Sequence, residues 1–403
     1  MNLLEIDRIS KTVKGSIQIT GSKSETNRLL ILQKFFSNLT IENISNSDDS
    51  ILMQKALSSE SNEINIGHAG TAMRFLTAYF SVKENSEIVL TGSKRMKNRP
   101  IKILVDALTY LGANIKYLEK EGYPPLKISG KKLTSSFIEI EGNVSSQYIS
   151  ALLLIAPTLK NGLQLKFKGE VTSIPYIKMT LQLLAEFGIE FSWKGDIISI
   201  LSKPTITDKT ITVESDWSSA SYYYSLVALS PNSEVKLTSY KKTSLQGDSV
   251  LATIYKGLGV ETIFKGHTLI LTNMNQQNLS SLNLDLVNAP DIAQTIAVTC
   301  FGLGIECYLT GLHTLKIKET DRLVALKTEI EKLGGEVIIT NETLHLKAST
   351  KINEHITIST YDDHRMAMAF APLALKVPIK IQDANVVSKS YPTFWADFEK
   401  ITT

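Results

Sequence analysis

The sequence predicts an α/β protein of two domains, each built from three repeats of one mixed strand-and-helix unit. Two offset periodicities predict it. In the first, a short polar cassette runs directly into a long apolar segment six times, and the last five cassettes recur about every 74 residues, a period expected of repeated supersecondary units. In the second, a helix closes at a Gly and the chain resumes as a strand, with the Gly at 112, 188, 259 and 334, spacings of 76, 71 and 75 residues.

The cassettes are GSKSETNR from Gly21, GHAGTAMR from Gly67, NVSSQY from Asn143, SDWSSASY from Ser215, NAPDIAQT from Asn288 and YDDHRMAM from Tyr361. A polar head followed by an apolar run such as Leu29 to Phe36 or Ile149 to Ala156 is how a buried helix begins, its unpaired amides and positive dipole end facing outward. Six such ends are six potential anion sites. The second pattern lies in LTYLGANIKY, LLAEFGIEF, YKGLGVETIF and IEKLGGEVII, each followed by another short strand, around Leu126, Ile197, Leu269 and Leu344. The unit therefore reads strand, polar loop, helix, Gly, hairpin, then the next apolar helix. LTIENISNSDDSILMQKAL is a copy without its hairpin, and IKIQDANVVSKSYPTFWADFEK closes the chain as another partial copy.

A length of 403 residues with 43% hydrophobic content gives core for two domains, since single cores seldom grow past about 250 to 300 residues. Three repeats per domain puts one domain at residues 21–214, inserted into another made of 1–20 plus 215–403. A net charge of +3, with lysines and acids mixed along the chain, excludes a nucleic-acid binder, which would concentrate basic charge. The N-terminus lacks an apolar core of signal length, and no run of about 18 apolar residues occurs. The expectation is a cytoplasmic protein with no membrane partner. Because the repeats complete their own cores, it is also expected to be a monomer. Cys300 and Cys307 lie in an apolar stretch and read as buried free thiols, and no His and Cys cluster has metal spacing.

Only seven of the 43 basic residues are arginine, and all but Arg8 lie in or beside a polar cassette or a loop opening a predicted helix. Arg28, Arg74, Arg99, Arg322 and Arg365 can pair bidentately with carboxylate or phosphate, as a lysine cannot. Any one of them could be a structural salt bridge. Together they point to a site between two repeat domains for small, multiply anionic ligands. The loops add acids: Glu319 and Asp321 beside Lys318 in KIKETDRL, Asp291 in NAPDIAQ, and Asp362 and Asp363 beside His364 in YDDHR. Asp321 and Asp362 read as structural acids of helix starts, caps or first-turn dipole partners. The others, with Lys23 and Lys389, suit proton transfer between anionic substrates. Ser145 and Ser146, followed by Gln147, offer neutral donors for a phosphate, and plain capping explains them equally well.

GSKSETNR, GHAGTAMR, RMKNRP, VSSQY, SIPYI, SLQGD, PDIAQT, IKETDRL and YDDHRMAM, in this order and at these separations, resemble the 5-enolpyruvylshikimate-3-phosphate synthase family along nearly the whole chain. KETDR with DHRMAM is the most specific part. The resemblance implies the two-domain enolpyruvyl transferase fold, an inside-out α/β barrel of three βαβαββ units per domain with the active site in the interdomain cleft. It implies transfer of the enolpyruvyl group of phosphoenolpyruvate to the 5-hydroxyl of shikimate 3-phosphate in the shikimate pathway, with no metal or organic cofactor.

Carried onto this sequence, the resemblance implies that Lys23 touches both substrates while Ser24 and Arg28 hold the shikimate carboxylate. Ser145, Ser146 and Ser173 would bind the 3-phosphate, with Gln147 and Tyr176 against the ring. Arg322 and Arg365 would clamp the phosphoenolpyruvate carboxylate, and Lys23, Gly70, Arg99, Gln147 and Lys389 would surround its phosphate. Asp291, beside Lys318, would act as base toward the 5-hydroxyl, and Glu319 would protonate the methylene carbon. Lys318 and Arg322 favour a charged Glu319, whereas bound anions push the other way, so both orders of acid and base fit the residues. Holding two anions needs desolvation, and the domains are expected to close over the first substrate.

Three positions depart from the family pattern. His68 stands where Asn is usual and Phe75 where Pro commonly follows the arginine, which bears on affinity for phosphoenolpyruvate and for glyphosate. Thr314 replaces an Asn that normally helps bind the 3-phosphate. Among rival readings, the enolpyruvyl transferase acting on UDP-N-acetylglucosamine commonly uses a loop Cys that Cys300 and Cys307 do not supply. A noncatalytic sugar-phosphate binder has no need of both acids. A P-loop reading of GSKS fails because GxxxxGK is absent.

Overall fold

The computed structural model describes residues 3–9, 12–172, 174–275 and 279–403. The chain divides into two compact units, one made of Met1–Gly21 with Glu214–Thr403 and the other of Ser22–Val213. Each is a threefold repeat of βαβαββ, complete in some copies and cut short or discontinuous in others.

In the second unit one complete copy runs through strand Glu63–Asn65, helix Gly70–Val82, strand Glu87–Thr91, helix Lys102–Tyr110 and the strands Asn114–Tyr117 and Leu126–Ser129. Another runs through Phe137–Glu141, Ser146–Ile155, Leu163–Lys168, Ile174–Glu186, Phe191–Lys194 and Ile197–Ile200. In both, the first two strands pair in parallel and the last two return as an antiparallel hairpin. The third copy is the parallel pair Lys209–Thr212 and Leu39–Glu42 with helices Lys23–Phe35 and Asp48–Ser58, and it has no hairpin among the described residues. Alternation fixes the register: in Phe137–Glu141, Ile138 and Ile140 turn inward while Phe137, Glu139 and Glu141 face out.

The first unit repeats the scheme. Its complete copy is Ser281–Asp285, Ala293–Leu303, Glu306–Thr310, Arg322–Lys332, Val337–Ile339 and Leu344–Leu346. A second copy uses Trp217–Leu229, Glu234–Thr238, Leu251–Gly257 and the hairpin Val260–Lys265 with Thr268–Asn273, and borrows Lys14–Ile17 as its first strand, parallel to Glu234–Thr238. The third uses Ile356–Ile358, His364–Phe370, Ile379–Gln382 and Phe394–Thr402. The strand Leu3–Ile6 completes its sheet, antiparallel to Ile379–Gln382.

Within each unit the helices that follow the polar cassettes form the core. Lys23–Phe35, Gly70–Val82 and Ser146–Ile155 pack together in one, and Trp217–Leu229, Ala293–Leu303 and His364–Phe370 in the other. Their small hydroxyl residues let the backbones approach: Ser221 Oγ lies 2.9 Å from Thr295 Oγ1, and Thr299 donates to Ser225 Oγ at 2.8 Å. The glycines that close the second helix of a repeat sit in left-handed backbone, φ 107° at Gly112 and 95° at Gly334, where a side chain would be strained. The three-residue strands Glu63–Asn65 and Ile356–Ile358, which precede buried helices, extend the unit read from the sequence. Cys300 and Cys307 are buried free thiols.

Candidate active site

In the first unit three acids converge on one buried arginine. Arg322 opens the helix Arg322–Lys332, and Asp321 caps it by accepting from the amides of Leu323 and Val324. The Arg322 guanidinium, 2% exposed, donates from Nε to Asp363 Oδ2 at 2.7 Å, from Nη1 to Asp291 Oδ1 at 2.9 Å and from Nη2 to Glu319 Oε2 at 2.8 Å. Burial alone would lower its pKa, but Asp363, Glu319 and Asp291 outweigh burial and hold it above its ordinary value.

Asp291 sits on the short turn Pro290–Ile292 and is shared. Lys318 Nζ approaches its Oδ1 at 3.5 Å, and Arg365 Nη2 its Oδ2 at 3.3 Å. Arg365 lies in the first turn of His364–Phe370, which Asp363 caps through the Arg365 amide at 2.9 Å. Asp363 thus orders a helix start with one oxygen and Arg322 with the other. Asp362 is structural but not the cap: at φ 56° it lies one residue too early, in the left-handed turn, and its carbonyl accepts from Lys389 Nζ at 2.5 Å. Thr314, on the turn His313–Ile317, has a buried Oγ1 with no hydrogen-bond partner among the described residues.

In the second unit the arginines sit among neutral groups and rings. Arg28, one turn into Lys23–Phe35, donates from Nε to Thr180 Oγ1 at 2.7 Å, from Nη1 to the Ser24 carbonyl at 2.7 Å, and from Nη2 to Ser150 Oγ at 2.9 Å and the Tyr176 carbonyl at 3.3 Å. Its guanidinium carbon stands 5.4 Å from the centre of the Phe75 ring, so Phe75 is the floor beneath this charge. Arg74 donates to the carbonyls of Gly70 at 3.2 Å and Pro100 at 2.9 Å, beside the Tyr148 ring. Burial lowers both arginines to about 10, with Arg99 adding to the effect at Arg74.

Two cassettes and the RMKNRP loop are latched together here. The Arg99 guanidinium lies against the Gly70 Cα, where a Cβ would push the end of the Arg99 side chain aside. Gln147 donates to Thr71 Oγ1 at 3.3 Å, and Tyr148 to the Pro100 carbonyl at 2.6 Å. Ser145 caps Ser146–Ile155 by accepting from the Gln147 amide at 3.4 Å. His68 Nε2 lies 3.8 Å from Asp48 Oδ2 at the edge of this group.

Similarity to known proteins agrees with this arrangement. The family model described as EPSP synthase (3-phosphoshikimate 1-carboxyvinyltransferase) matches residues 34–398. A 3-phosphoshikimate 1-carboxyvinyltransferase of Bacteroides fragilis (strain YCH46) is 47% identical over 392 residues, covering 96% of this chain and 95% of its own. The chain belongs to the EPSP synthase family. A Haemophilus influenzae (strain PittEE) relative with the same name is 36% identical over 429 residues, with 96% of each chain covered. In fold, the chain matches the EPSP synthase structure from Acinetobacter baumannii with a TM-score of 0.81 at 20% identity, over 99% of this chain and 98% of that one. It matches the enolpyruvyl transferase NikO from Streptomyces tendae with a TM-score of 0.76 at 14% identity, over 99% and 97%.

Against that family, the structure gathers Asp291, Lys318, Glu319, Arg322 and Arg365 in one unit, with Lys389 tied to the loop before Arg365. In the other it gathers Arg28 with Ser24 and the Tyr176 backbone, and Gly70 with Arg99 near Gln147. Lys23, Ser145 and Ser146 stand at the starts of their helices. Ser173 lies outside the described residues. Sequence reading gave no role to Asp363 as a partner of Arg322, or to Ser218 and Asp248, which stand behind Arg365. The signal for Asp363 was its place immediately before the helix carrying Arg365, which is the capping position.

Proposed function

We propose that the chain transfers the enolpyruvyl group of phosphoenolpyruvate to the 5-hydroxyl of shikimate 3-phosphate and releases phosphate, in the pathway to chorismate and the aromatic amino acids. The observation that carries this reading is the triple pairing of Arg322. By holding Asp291 on one nitrogen and Glu319 on another, it sets two carboxylates at a fixed separation, as a reaction needing both a base and an acid demands.

In the first half-reaction Glu319 gives its proton to the methylene carbon of phosphoenolpyruvate. The double-bond electrons form the new C–H bond, and positive charge develops on the adjacent carbon. The 5-oxygen attacks that carbon as Asp291 takes the hydroxyl proton, giving a tetrahedral intermediate. In the second half the C–O bond to phosphate breaks with its electron pair, a methyl proton returns to a carboxylate, and the double bond re-forms. Arg365 and Arg322 hold the carboxylate of phosphoenolpyruvate. Lys23, Gly70, Arg99, Gln147 and Lys389 attend its phosphate, and charge compensation of this kind favours departure of the phosphate dianion. Ser24, Arg28, Ser145, Ser146, Ser173, Gln147, Tyr176, Thr314 and Lys318 bind shikimate 3-phosphate. The unsatisfied Thr314 hydroxyl supports a ligand contact at the position where the family usually has Asn.

The protein works in the cytoplasm and as a monomer, the latter reading supported by the packing of the repeats within two compact units. Among the described residues no helix is long and apolar enough to cross a membrane. Both cysteines are buried in the core of the first unit, which disfavours the reading that uses a loop Cys. The test is phosphate release from phosphoenolpyruvate with and without shikimate 3-phosphate. Release that requires shikimate 3-phosphate supports the assignment, and binding without release overturns the enzyme claim.

A further inference from the structure

The SLQGD loop carries no role in the reaction as described, yet it is bolted to the start of Trp217–Leu229. Gln246 accepts from the Trp217 amide at 2.9 Å and donates to the Ser215 carbonyl at 3.0 Å. Glu214 accepts from the Lys241 amide at 2.9 Å and from Ser244 Oγ at 2.6 Å. These bonds place buried Asp248 against Ser218, whose hydroxyl donates to Asp248 Oδ2. With its own proton committed there, Ser218 Oγ presents lone pairs, and it accepts from Arg365 Nη2 at 3.3 Å.

Arg365 is therefore held from two sides. Asp291 pairs directly with its Nη2, and Asp248 acts on it through Ser218. Both contacts fall on the same terminal nitrogen. Arg365 Nε is buried and has no hydrogen-bond partner among the described residues. A buried guanidinium N–H left without an acceptor is unfavourable unless a ligand supplies one.

We propose that Ser218 and Asp248 are positioning residues for phosphoenolpyruvate, which fix Arg365 through one terminal nitrogen so that its remaining donors stay available to the substrate carboxylate. This rests on the reading of Arg365 given above. Neither residue touches substrate; both act through the guanidinium. The electrostatic setting agrees. Burial, then the nearby Asp291 charge, raises the Asp248 carboxyl to about 7, with Arg365 and the Ser218 hydrogen bond opposing and Asp216 reinforcing. The ionised form that orients Ser218 is thus supported mainly by Arg365, the group it positions.

The experiment is steady-state kinetics with phosphoenolpyruvate varied at saturating shikimate 3-phosphate, for the wild type, Ser218→Ala, Ser218→Thr and Asp248→Asn. Calorimetry of shikimate 3-phosphate binding accompanies each. A hydrogen bond to a charged group sets the scale, roughly tenfold or more. Ser218→Ala and Asp248→Asn should lower kcat/KM for phosphoenolpyruvate by at least that factor, chiefly through KM. Ser218→Thr, which keeps the hydroxyl, should stay much closer to wild type, and the dissociation constant of shikimate 3-phosphate should not move. Ser218→Ala with an unchanged KM overturns the inference, as does an equal loss in Ser218→Thr, or loss of shikimate 3-phosphate binding in step with the kinetic defect. Wild-type protein without shikimate 3-phosphate-dependent phosphate release overturns the proposed function as well, so the two failures are told apart.

Discussion

The two units bury their arginines in opposite ways. In the first, Arg322 is wrapped by Asp291, Glu319 and Asp363, and attraction outweighs burial, so its pKa rises. In the second, the hydrogen bonds of Arg28 and Arg74 end mainly on hydroxyls and carbonyls, beside aromatic rings, and burial lowers both to about 10. A guanidinium surrounded by carboxylates orders those carboxylates. One surrounded by neutral oxygens remains a positive charge seeking an anion. The Arg322 cluster is thus suited to placing acid and base, with Arg365 beside it facing the substrate carboxylate, and the second unit to gathering further anionic groups.

Four substitutions break or sharpen this contrast. The largest effect belongs to the acid held by Arg322: Glu319→Gln should lower shikimate 3-phosphate-dependent phosphate release by roughly 10²–10⁴-fold, the range of general acid catalysis, while both substrates still bind. Arg322→Met should then cost about 3–5 kcal/mol of stability in chemical denaturation, because three carboxylates lose their buried partner. Unchanged stability would sink the idea of a hub. Arg28→Met should do the reverse, weakening shikimate 3-phosphate binding by roughly 10–100-fold in calorimetry with a smaller change in denaturation midpoint. The smallest effect is expected at Ser145→Ala, about 1 kcal/mol from the lost helix cap, accompanied by weaker binding of the 3-phosphate.

A pH series adds a fifth test. The Asp248 carboxyl is raised from 3.8 to about 7, so the folded protein keeps a proton there that the unfolded chain has already released. Its contribution to stability is full below about 4 and is lost as pH rises through 7. Stability in the wild type should therefore fall across that window more steeply than in Asp248→Asn. Parallel curves would show that Asp248 titrates near its ordinary value.

Much of this was legible because buried helices announce themselves: Gly67–Arg74 and Ser215–Tyr222 are polar starts that lead into apolar runs no surface helix would carry. The glycines at 112 and 334 marked helix ends because only glycine sits easily at their φ values. The strands Glu63–Asn65 and Ile356–Ile358 escaped notice, since three residues cannot display an alternation. At the candidate site, residue types pointed to Glu319 and Arg322, three apart at the opening of a helix. That Asp363 and Asp291 close on the same guanidinium depends on contacts 41 and 31 residues distant, set by repeat packing. Asp248 was hidden for a related reason: nothing in SLQGD shows that its acid is buried against Ser218.

The pairing of Leu3–Ile6 with Ile379–Gln382 bears on how the protein is made. At ribosomal speeds of roughly 5–20 residues per second, the first strand waits about 20 to 75 seconds for its partner. Ser22–Val213 contains its own sheets and can fold while synthesis continues. The first unit is committed only when the last strands leave the ribosome, so the nascent chain carries an unpaired sheet edge for most of its synthesis, the interval in which a chaperone would find it.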